Sequence, residues 1–415
     1  MGLVVQKFGG TSVGSIGRIQ NVAERIKQTY SEGNQCVVVV SAMGKSTDKL
    51  IEMAKQLTPT PPEREMDMLL TTGEQVSISL LTMALQQLGV PSRSFTGWQA
   101  GIETDQVFGK ARITSIKTET MQKYLNKGEI LVVAGFQGWS PQREITTLGR
   151  GGSDTTAVAL AAALEADYCE IYTDVTGVYT TDPRIVPSAQ KLAEISFDEM
   201  LELANLGAGV LHPRAVECAK NYSVELVVRS SFTDEPGTRV KEVCDMEQQL
   251  KVRGVAHDLD VARIKVLGLP NRSDCLSELF SLLAANHINV DIIVQSEHAA
   301  ETMDVSFSVQ EKEAEKAVNV LEQHRQTLGF AKTLVESGLA KVSAVGAGMV
   351  TNPGVAADMF KTLTDASIPI KMVSTSEIKI SCVIPLDKAQ QAVQLLHTTF
   401  ELDDAKQKVT ETHTN

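Results

Sequence analysis

The stretch LVVQKFGGTS, residues 3–12, sets the pattern for the first half of the chain. Its first six residues form a short apolar run that predicts a buried strand, and residues 16–30 have the apolar spacing of a helix. The alternation recurs downstream, with strands predicted at 36–40, 130–134 and 169–173 and helices at 65–88, broken near Gly73, and at 157–166. Strands that alternate with helices pair in parallel and have both sheet faces covered. The sequence therefore predicts an α/β fold, in which ligands bind beyond the carboxyl ends of the strands.

The turn KFGGTS, residues 7–12, has the composition of an anion site. Gly9 and Gly10 allow the backbone to approach a ligand closely, and the start of a following helix offers free N–H groups. The order differs from that of a P-loop, whose lysine follows the glycines, because here Lys7 precedes them. A bare Gly-Gly turn is more often only a turn, but the lysine before it and the hydroxyl residues after it favour a phosphate site.

A second glycine-rich turn, TLGRGGSDTT at residues 147–156, opens a predicted helix. Ser153, Asp154 or Thr155 would serve as an ordinary helix cap. Capping alone does not require the glycines, nor Arg150, which places a cation at the mouth of the turn. Two anion-ready turns in one α/β domain favour substrates with separated anionic groups, such as a nucleotide and a small acid.

Two further segments carry candidate binding residues. After the strand at 169–173, Asp174 and Asp182 are candidates for ribose or metal contacts and Arg184 for a phosphate contact, although a solvated turn explains them equally well. In TTGEQ, residues 71–75, Glu74 lies among small residues and is a candidate for binding an ammonium group. An isolated glutamate is more often a surface residue.

Composition disfavours several classes of function. The 415 residues predict two or three domains. The net charge of -12 disfavours a nucleic-acid or anionic-membrane partner, because phosphates attract basic surfaces. The six cysteines are scattered without a CxxC pair, which argues against structural zinc and disulfides and predicts buried thiols in a reducing cytosol. The sequence shows neither a secretory signal nor an apolar run of the ~18 residues that a membrane span needs, so a soluble, cytoplasmic protein is predicted.

The last third of the chain contains an internal repeat with a spacing of 80 residues. A charged, mixed stretch from residue 233 to about 251 precedes it as a linker. Each copy is predicted to contain a strand, a polar loop, a helix and further strands, which indicates two small βαβ-type modules in tandem. The matched pairs are Gly268 with Gly348, Phe280 with Phe360, Leu283 with Leu363, Ile288 with Ile368, and Ser296-Glu297 with Ser376-Glu377.

Together these motifs resemble the aspartokinase branch of the amino-acid kinase family, and the tandem modules resemble ACT domains. The resemblance covers nearly the whole chain. It implies a kinase domain at 1–245 with a three-layer, mostly parallel sheet, followed by ferredoxin-like ACT domains at 260–335 and 340–415. The length resembles that of the short bacterial enzymes without a fused dehydrogenase. The motifs are KFGGTS, VSAMG (40–44), TTGEQ, GRGGSDTTA (149–157), YTDVTGVYTTDPR (172–184) and FDEMLELANLGAGVLHPR (197–214).

The resemblance implies that ATP with Mg²⁺ phosphorylates L-aspartate to 4-phospho-L-aspartate, the first step towards lysine, threonine, methionine and diaminopimelate. An aspartate side chain has a pKa of about 3.9, so this nucleophile is ionised at neutral pH and needs no general base. The difficulty is to bring one anion to a polyanion. Charge neutralisation and in-line positioning should therefore carry catalysis.

The resemblance also implies a role for each site residue, and it implies no protein metal site. Lys7, Arg150 and Asp154 are implied to be catalytic. The residues implied to bind ATP are Lys7, Phe8, Gly9, Gly10, Ser41, Thr173, Asp174, Tyr179, Asp182, Pro183 and Arg184. The residues implied to bind aspartate are Thr47, Glu74, Arg150, Gly151, Gly152, Ser153 and Asp154.

One position departs from the pattern of the resembled family. Some members carry a lysine directly after the Ser-Ser pair near the end of the kinase domain, where this chain has Phe232. Arg229 is a candidate replacement for that phosphate contact.

ACT modules in the resembled family pair across a dimer and bind amino acids at the interface. The resemblance implies a homodimer or higher oligomer with lysine, threonine or both as feedback inhibitors. Met246 offers an internal start that would release the ACT half as a shorter subunit. In the first module Ser273-Asp274 stands where the second has Pro353-Gly354. The positions that match effector sites are Asn271, Ser273, Asp274, Leu276, Asn289, Asp291 and Gln295 in the first module, and Ala356, Ile370, Ser376 and Glu377 in the second.

Two alternatives compete with this prediction. One is another member of the same fold, such as a glutamate, acetylglutamate or uridylate kinase, against which the ACT repeat and TTGEQ argue. The other is a catalytically silent amino-acid sensor, against which the presence of Lys7, Glu74, Arg150 and Asp154 argues.

Overall fold

The structure is a computed structural model that describes residues 2–206, 210–242, 251–299, 302–349 and 352–404. Met246, the predicted internal start, lies outside the described residues. The chain divides into two compact units. The N-terminal unit consists of Met1–Val178, Lys191–Asn205 and Gly209–Met246, and the C-terminal unit consists of Tyr179–Gln190, Leu206–Ala208 and Glu247–Asn415.

Two sheets organise the N-terminal unit. Its strands are β1 (Leu3–Phe8), β2 (Gln35–Val40), β3 (Ser92–Phe95), β4 (Ile102–Thr104), β5 (Ile113–Ile116), β6 (Ile130–Ala134), β7 (Gln137–Trp139), β8 (Ile145–Thr147), β9 (Tyr168–Thr173), β10 (Glu194–Ser196), β11 (Leu226–Ser230) and β12 (Thr238–Lys241). The main sheet has the strand order β10-β12-β11-β9-β1-β2-β6-β3 and the small sheet the order β5-β4-β7-β8. The main sheet is parallel except for the antiparallel pair of β11 and β12, which confirms the predicted α/β fold.

Helices cover both faces of the main sheet. The helices of this unit are α1 (Ile16–Ser31), α2 (Ser46–Leu57), α3 (Glu63–Leu70), α4 (Thr72–Gln87), α5 (Glu119–Leu125), α6 (Gly152–Ala163), α7 (Phe197–Asn205) and α8 (Pro213–Asn221). Phe8 and Val38 pack with Ile19 of α1 and Leu81 of α4 in one core. Side chains alternate along a strand, so Lys7 points to the opposite face, where α6 contacts β1, β2 and β9.

Local patterns located most of these elements. The predicted limits of β1 and β6 match the structure, and the helical run near Gly73 is indeed divided, at Thr71, into α3 and α4. Helix α6 begins at Gly152, five residues before its predicted start at 157, because its first turn is formed by Gly152 and polar residues, which show no apolar helical pattern. The stretch Glu63–Gln87 has the length and apolar composition of a membrane span, but α4 contributes Ile78, Leu81 and Leu85 to the protein core.

The C-terminal unit is built on one antiparallel sheet. Its strands are β13 (Gly254–Pro270), β14 (Ile293–Ala299), β15 (Thr302–Val309), β16 (Lys332–Val345), β17 (Met372–Thr375) and β18 (Lys379–Pro385), in the order β14-β15-β13-β16-β18-β17. Its helices are α9 (Cys275–Ala285), α10 (Glu311–Gln323), α11 (Arg325–Leu328), α12 (Val355–Asp365) and α13 (Ala389–Thr399). Helices α9 and α12 begin and end 80 residues apart, which confirms the repeat, although the strands pair antiparallel rather than as parallel βαβ units.

The two modules share strand β13, which is 17 residues long. Its first part contributes Val255 to a core with α12 and α13, and its second part contributes Ile264 to a separate core with α9 and α10. One strand therefore serves both modules. The predicted limits at 260–335 and 340–415, which place only the second part of this strand in a module, stay a prediction.

The segment Tyr179–Gln190 was predicted to lie in the kinase domain but groups with the C-terminal unit. Thr180 Oγ1 lies 2.8 Å from Nε2 of the buried His397 on α13. Val186 and Ala189 are part of the core that α12 and α13 form. The physical reason is apolar packing that a short polar segment does not reveal in sequence.

Candidate functional site

A cleft of about 960 Å³ opens in the N-terminal unit beyond the carboxyl ends of β1 and β2. This is the position expected for a ligand in a parallel sheet. Many of the residues predicted for the site line it, namely Lys7, Gly10, Ser41, Thr47, Glu74, Arg150, Gly151, Gly152, Ser153 and Asp154. The two glycine-rich turns and TTGEQ, which are far apart in sequence, thus meet in one place.

Lys7 and Asp154 form an ion pair in this cleft. Lys7 is near the end of β1 and Asp154 is in the first turn of α6, and their Nζ and Oδ1 atoms lie 2.6 Å apart. The side chains are only 12% and 13% exposed. A carboxylate in the first turn of a helix is stabilised by the positive end of the helix dipole. The pair therefore holds the lysine ammonium in a fixed position at the cleft.

The first glycine-rich turn brings two loops into close contact. A Cβ added at Gly10 would lie 2.8 Å from the carbonyl oxygen of Ala42, and Gly44 N donates to Gly10 O at 2.9 Å. Helix α1 begins only at Ile16, with Ser15 as its N-cap. The predicted start of this helix is therefore confirmed, and the residues between Gly9 and the helix form a turn.

The second glycine-rich turn is shaped by a close approach to His212. Gly151 is the N-cap of α6 with φ 67°, and a Cβ there would lie 2.1 Å from Cγ of His212. Ser153 and Asp154 are thus inside the first turn rather than caps, and Ser41 Oγ donates to Ser153 Oγ at 2.9 Å. This hydrogen bond links the loop after β2 to the start of α6.

Glu74 is a buried carboxylate at the cleft, so the surface alternative for this residue is wrong. It is 3% exposed, and its Oε1 accepts a hydrogen bond from Ala42 N at 3.0 Å. Its Oε2 is buried without a hydrogen-bond partner among the described residues. Burial raises the pKa of Glu74 to about 7. An unpaired buried carboxylate is costly unless a ligand satisfies it, and an ammonium group is a suitable ligand.

We expect Glu74→Gln to weaken the binding of an ammonium-bearing substrate by about 10- to 100-fold, the effect of losing a hydrogen bond to a charged group.

The same variant should change how stability depends on pH. The pKa of Glu74 in the folded state lies above the ordinary 4.5, so the wild type loses stability as pH rises from about 4.5 to 7, by up to about 3 kcal/mol. The variant does not lose this stability, because glutamine does not ionise. Its melting temperature should exceed that of the wild type at pH 8 by more than at pH 5, whereas the exposed Glu52→Gln should show no such difference.

Several residues predicted to bind ATP are not among the residues that line this cleft. Phe8 is buried and stacks on Tyr172 with ring centroids 4.5 Å apart, so only its backbone is available. Thr173 Oγ1 donates to Asp174 Oδ1 at 3.1 Å at the carboxyl end of β9, and neither residue is among those that line the cleft. Tyr179, Asp182, Pro183 and Arg184 belong to the C-terminal unit, where Arg184 donates to Asp182 and lowers the pKa of that carboxyl.

Arg229, the candidate replacement for the missing lysine, is engaged in a buried network. Its Nη1 donates to Glu170 Oε1 at 2.8 Å. Gln6 and the hydroxyl of Tyr172 also donate to Glu170. Phe232 itself lies under the guanidinium of Arg18 at 5.1 Å. In this structure Arg229 therefore neutralises a buried carboxylate.

Sequence reasoning missed several residues that line the cleft: Asp67, Lys110, Arg112, His212 and Arg214. The last two belong to the LHPR segment, which was quoted as a family motif without a role. Asp67 gave no signal, since an aspartate in an amphipathic helix usually faces solvent. These residues add three cations to the cleft, which favours anionic ligands.

The predicted effector positions are distributed over both modules of the C-terminal unit. Asp291 forms an ion pair with Lys341, and Gln295 Nε2 donates to Met303 Sδ at 3.2 Å. Ser376 N donates to Lys379 O at 2.8 Å. The loop before α9 exposes Asn271, Ser273 and Asp274, while Leu276 lies in α9, Ala356 in α12, Asn289 in the loop after α9, and Ile370 and Glu377 on either side of β17.

Two further predictions concern metals and thiols. Across the described ranges, no group of three or more His, Cys, Asp or Glu is placed to hold a metal ion. Cys36, Cys169, Cys275 and Cys382 are free and buried, and Cys218 is free and partly buried. Burial raises the pKa of the Cys36 thiol to about 12, so the thiol stays protonated and packs as an apolar group.

The N-terminal unit has a cationic, glycine-lined cleft at the strand ends of a parallel sheet. The C-terminal unit is a repeated antiparallel module. These features are those of a small-molecule phosphotransferase of the amino acid kinase class with ACT domains. The chain matches the amino acid kinase family over residues 2–230 and the ACT domain over residues 264–324 and 342–400. It is 61% identical over 408 residues to the aspartokinase of Bacillus sp. (strain MGA3), which is 98% of this chain and 99% of that relative. The chain therefore belongs to the aspartokinase family and carries tandem ACT domains.

Two solved structures of one enzyme are similar over almost the whole chain. E. coli aspartokinase III in complex with aspartate and ADP (R-state) has a TM-score of 0.80 at 27% identity, covering 96% of this chain and 99% of that one. The same enzyme in complex with lysine and aspartate (T-state) has a TM-score of 0.75 at 26% identity, with the same coverage.

Proposed function

We propose that this protein transfers the γ-phosphoryl group of ATP to the side-chain carboxylate of L-aspartate, giving 4-phospho-L-aspartate and ADP. One observation carries the proposal: a fixed ammonium, Lys7, and an unpaired buried carboxylate, Glu74, line the same cleft as Arg150. The amino acid substrate bears two carboxylates and one ammonium group, and these side chains match it in sign. The E. coli relative that was solved with aspartate and ADP supports the same pair of ligands.

The proposed chemistry is phosphoryl transfer without a general base. The β-carboxylate of aspartate is ionised at neutral pH and attacks the γ-phosphorus, while the bond to the bridging oxygen of ADP breaks and ADP leaves as an anion. Lys7 neutralises the charge that gathers on the transferring group. Asp154 holds Lys7 at 2.6 Å and so fixes its position before the substrates arrive.

We propose that aspartate is held at both ends. Glu74 binds its α-ammonium through the free Oε2, Arg150 binds a carboxylate, and the hydroxyls of Thr47 and Ser153 complete the pocket. Without substrate, the carboxyl group of Glu74 has a pKa of about 7, and its ionised form is the one that binds an ammonium group. The KM for aspartate should therefore rise as pH falls below about 7.

ATP is proposed to enter with Mg²⁺, whose charge offsets that of the phosphates. Mg²⁺ usually binds through one or two carboxylates together with substrate phosphates rather than in a protein cage. Gly10 and Ser41 line the cleft with Lys7, a Cβ at Gly9 would lie 3.4 Å from Lys7 Nζ, and these three residues would face the phosphates. The roles of Thr173, Asp174, Tyr179, Asp182, Pro183 and Arg184 in binding ATP remain predictions.

The test is the formation of a hydroxamate when the protein, ATP and Mg²⁺ are incubated with L-aspartate and hydroxylamine, which traps acyl phosphates. Aspartate hydroxamate that depends on ATP supports the proposal. Activity with glutamate, acetylglutamate or UMP in place of aspartate would assign the protein to another branch of the family, and no product with any of them would favour a silent sensor.

We further propose that lysine inhibits the enzyme through the ACT modules, at the first step towards lysine, threonine, methionine and diaminopimelate. The lysine-bound T-state of the E. coli relative supports lysine, while threonine rests on family resemblance alone. Adding each amino acid to the hydroxamate assay should lower the rate with lysine, threonine or both. Insensitivity to both would remove this regulatory role.

The assembly is proposed to be a homodimer or higher oligomer in the cytoplasm. The edge strand β14 exposes Ile293 at 50% and Val294 at 39%, an apolar edge suited to a second copy. An ACT-only subunit that starts at Met246 would appear as a second, shorter band on a denaturing gel of the native protein.

A further inference from the structure

Asp67, on α3, is a completely buried carboxylate that binds two chain segments at once. Its Oδ2 accepts hydrogen bonds from Thr147 N at 2.9 Å and Gly109 N at 3.0 Å. Its Oδ1 accepts one from the hydroxyl of Thr147 at 2.6 Å. Burial raises the pKa of Asp67 while these hydrogen bonds oppose the rise. A buried carboxylate is retained at this cost only if its hydrogen-bond partners are well placed.

Arg214, on α8, binds the same two segments through their carbonyl groups. Its Nη1 donates to Leu148 O at 2.6 Å and its Nη2 donates to Ala111 O at 3.0 Å. The anion thus takes N–H groups and the cation takes carbonyl groups from neighbouring residues of each segment. The two side chains together form a clamp, which we call the Asp67–Arg214 clamp.

The clamped segments also touch each other and lead directly to Arg150. Ala111 N donates to Thr147 O at 2.9 Å. Gly149 has φ 76°, and a Cβ there would lie 2.9 Å from Gly109 O. Arg150 follows this contact immediately and lines the cleft; it is exposed, whereas Thr147 and Leu148 before it are buried. Its direction is therefore set by the backbone of a turn that the clamp immobilises.

We propose that Asp67 and Arg214 are positioning residues that fix the turn carrying Arg150 for binding of the acidic substrate. The inference rests on the proposed role of Arg150. A long arginine side chain loses much of its rotational freedom when it binds a carboxylate, and a rigid backbone beneath it limits the further loss. The clamp stabilises the substrate complex without touching the reacting atoms.

The cleanest test is Thr147→Val, which keeps the side-chain shape and removes one hydrogen bond to Asp67. We expect the KM for aspartate to rise about 5- to 10-fold, as for the loss of roughly 1 kcal/mol, with kcat and the KM for ATP changed by less than about twofold. Thr146→Val is the matched control. It removes a buried hydrogen bond between Thr146 Oγ1 and Thr104 Oγ1, which lie 2.6 Å apart, without touching the clamp; Thr104 is on β4, which β7 separates from β8 in the small sheet. It should leave the KM for aspartate unchanged.

Combination with Arg150→Gln separates positioning from direct contact. If the clamp acts through Arg150, Thr147→Val should add little to the KM for aspartate in the Arg150→Gln background, because coupled residues are non-additive. Arg214→Lys provides a second probe of the same turn and should behave likewise. Full additivity with Arg150→Gln, or equal changes in kcat and in both KM values, would overturn the inference.

The outcome also separates this inference from the proposed function. If Arg150→Gln raises the KM for aspartate but Thr147→Val and Arg214→Lys do not, the positioning role of the clamp is rejected and the proposed role of Arg150 in binding aspartate is kept. If Arg150→Gln itself leaves that KM unchanged, the proposed role of Arg150 fails, and the clamp fails with it.

Discussion

Lys7→Ala should reduce kcat for aspartate hydroxamate formation by about 10³-fold or more, the scale seen when a cation is removed from a phosphoryl-transfer site. The substitution removes the ammonium that neutralises the transferring group. It also leaves Asp154, its partner at 2.6 Å, as an uncompensated negative charge beside the phosphates. Both consequences act on the transition state, so the loss should appear mainly in kcat.

The control for this variant is Lys55→Ala. Lys55 is an exposed lysine on α2 outside the cleft, and its removal should leave the rate unchanged. Circular dichroism and the melting temperature would show that Lys7→Ala is folded. A folded Lys7→Ala protein that keeps more than about a tenth of the wild-type kcat would contradict the role of Lys7.

Arg150→Gln should raise the KM for aspartate by about 10- to 100-fold, since a hydrogen bond to a charged group contributes about 1.5–3 kcal/mol. Arg150 is the exposed cation at the mouth of the second glycine-rich turn, and it lines the cleft near Lys7 and Asp154. The KM for ATP should change much less, because the proposed partner of Arg150 is the acidic substrate. Kinetics with each substrate varied in turn would measure the two values.

Arg143→Gln is the matched control for this variant. Arg143 is an exposed arginine in the turn between β7 and β8, outside the residues that line the cleft. Its substitution should change neither KM. If Arg150→Gln raised the KM for ATP and left that for aspartate alone, Arg150 would have to be reassigned to the nucleotide.

Strands and glycine-rich turns could be predicted because each is encoded locally. The apolar runs at Leu3–Phe8 and Ile130–Ala134 match buried parallel strands, and the chain order then brings the turns that follow them to one edge. Lys7 and Arg150 were predicted as site residues from these turns and Glu74 from the family resemblance, and the structure gathers all three in one cleft.

Features that depend on long-range packing could not be predicted. The start of α6 depends on the close approach of Gly151, its N-cap, to His212, which is 61 residues away in sequence and is brought close by the fold. Asp67 looks in sequence like a solvated residue of an amphipathic helix, yet it is completely buried against Gly109 and Thr147. The segment Tyr179–Gln190 groups with the C-terminal unit through Val186 and Ala189, which no local pattern indicates.

The most direct test of the central claim is to identify the carboxylate that receives the phosphoryl group. Borohydride reduces an acyl phosphate to an alcohol, so the products of L-aspartate, ATP and the enzyme can be reduced in the reaction mixture and identified by mass spectrometry. The account predicts homoserine, the alcohol that forms when the side-chain carboxylate is phosphorylated. Formation of 3-amino-4-hydroxybutanoate, from the α-carboxylate, or of no ATP-dependent alcohol would contradict it.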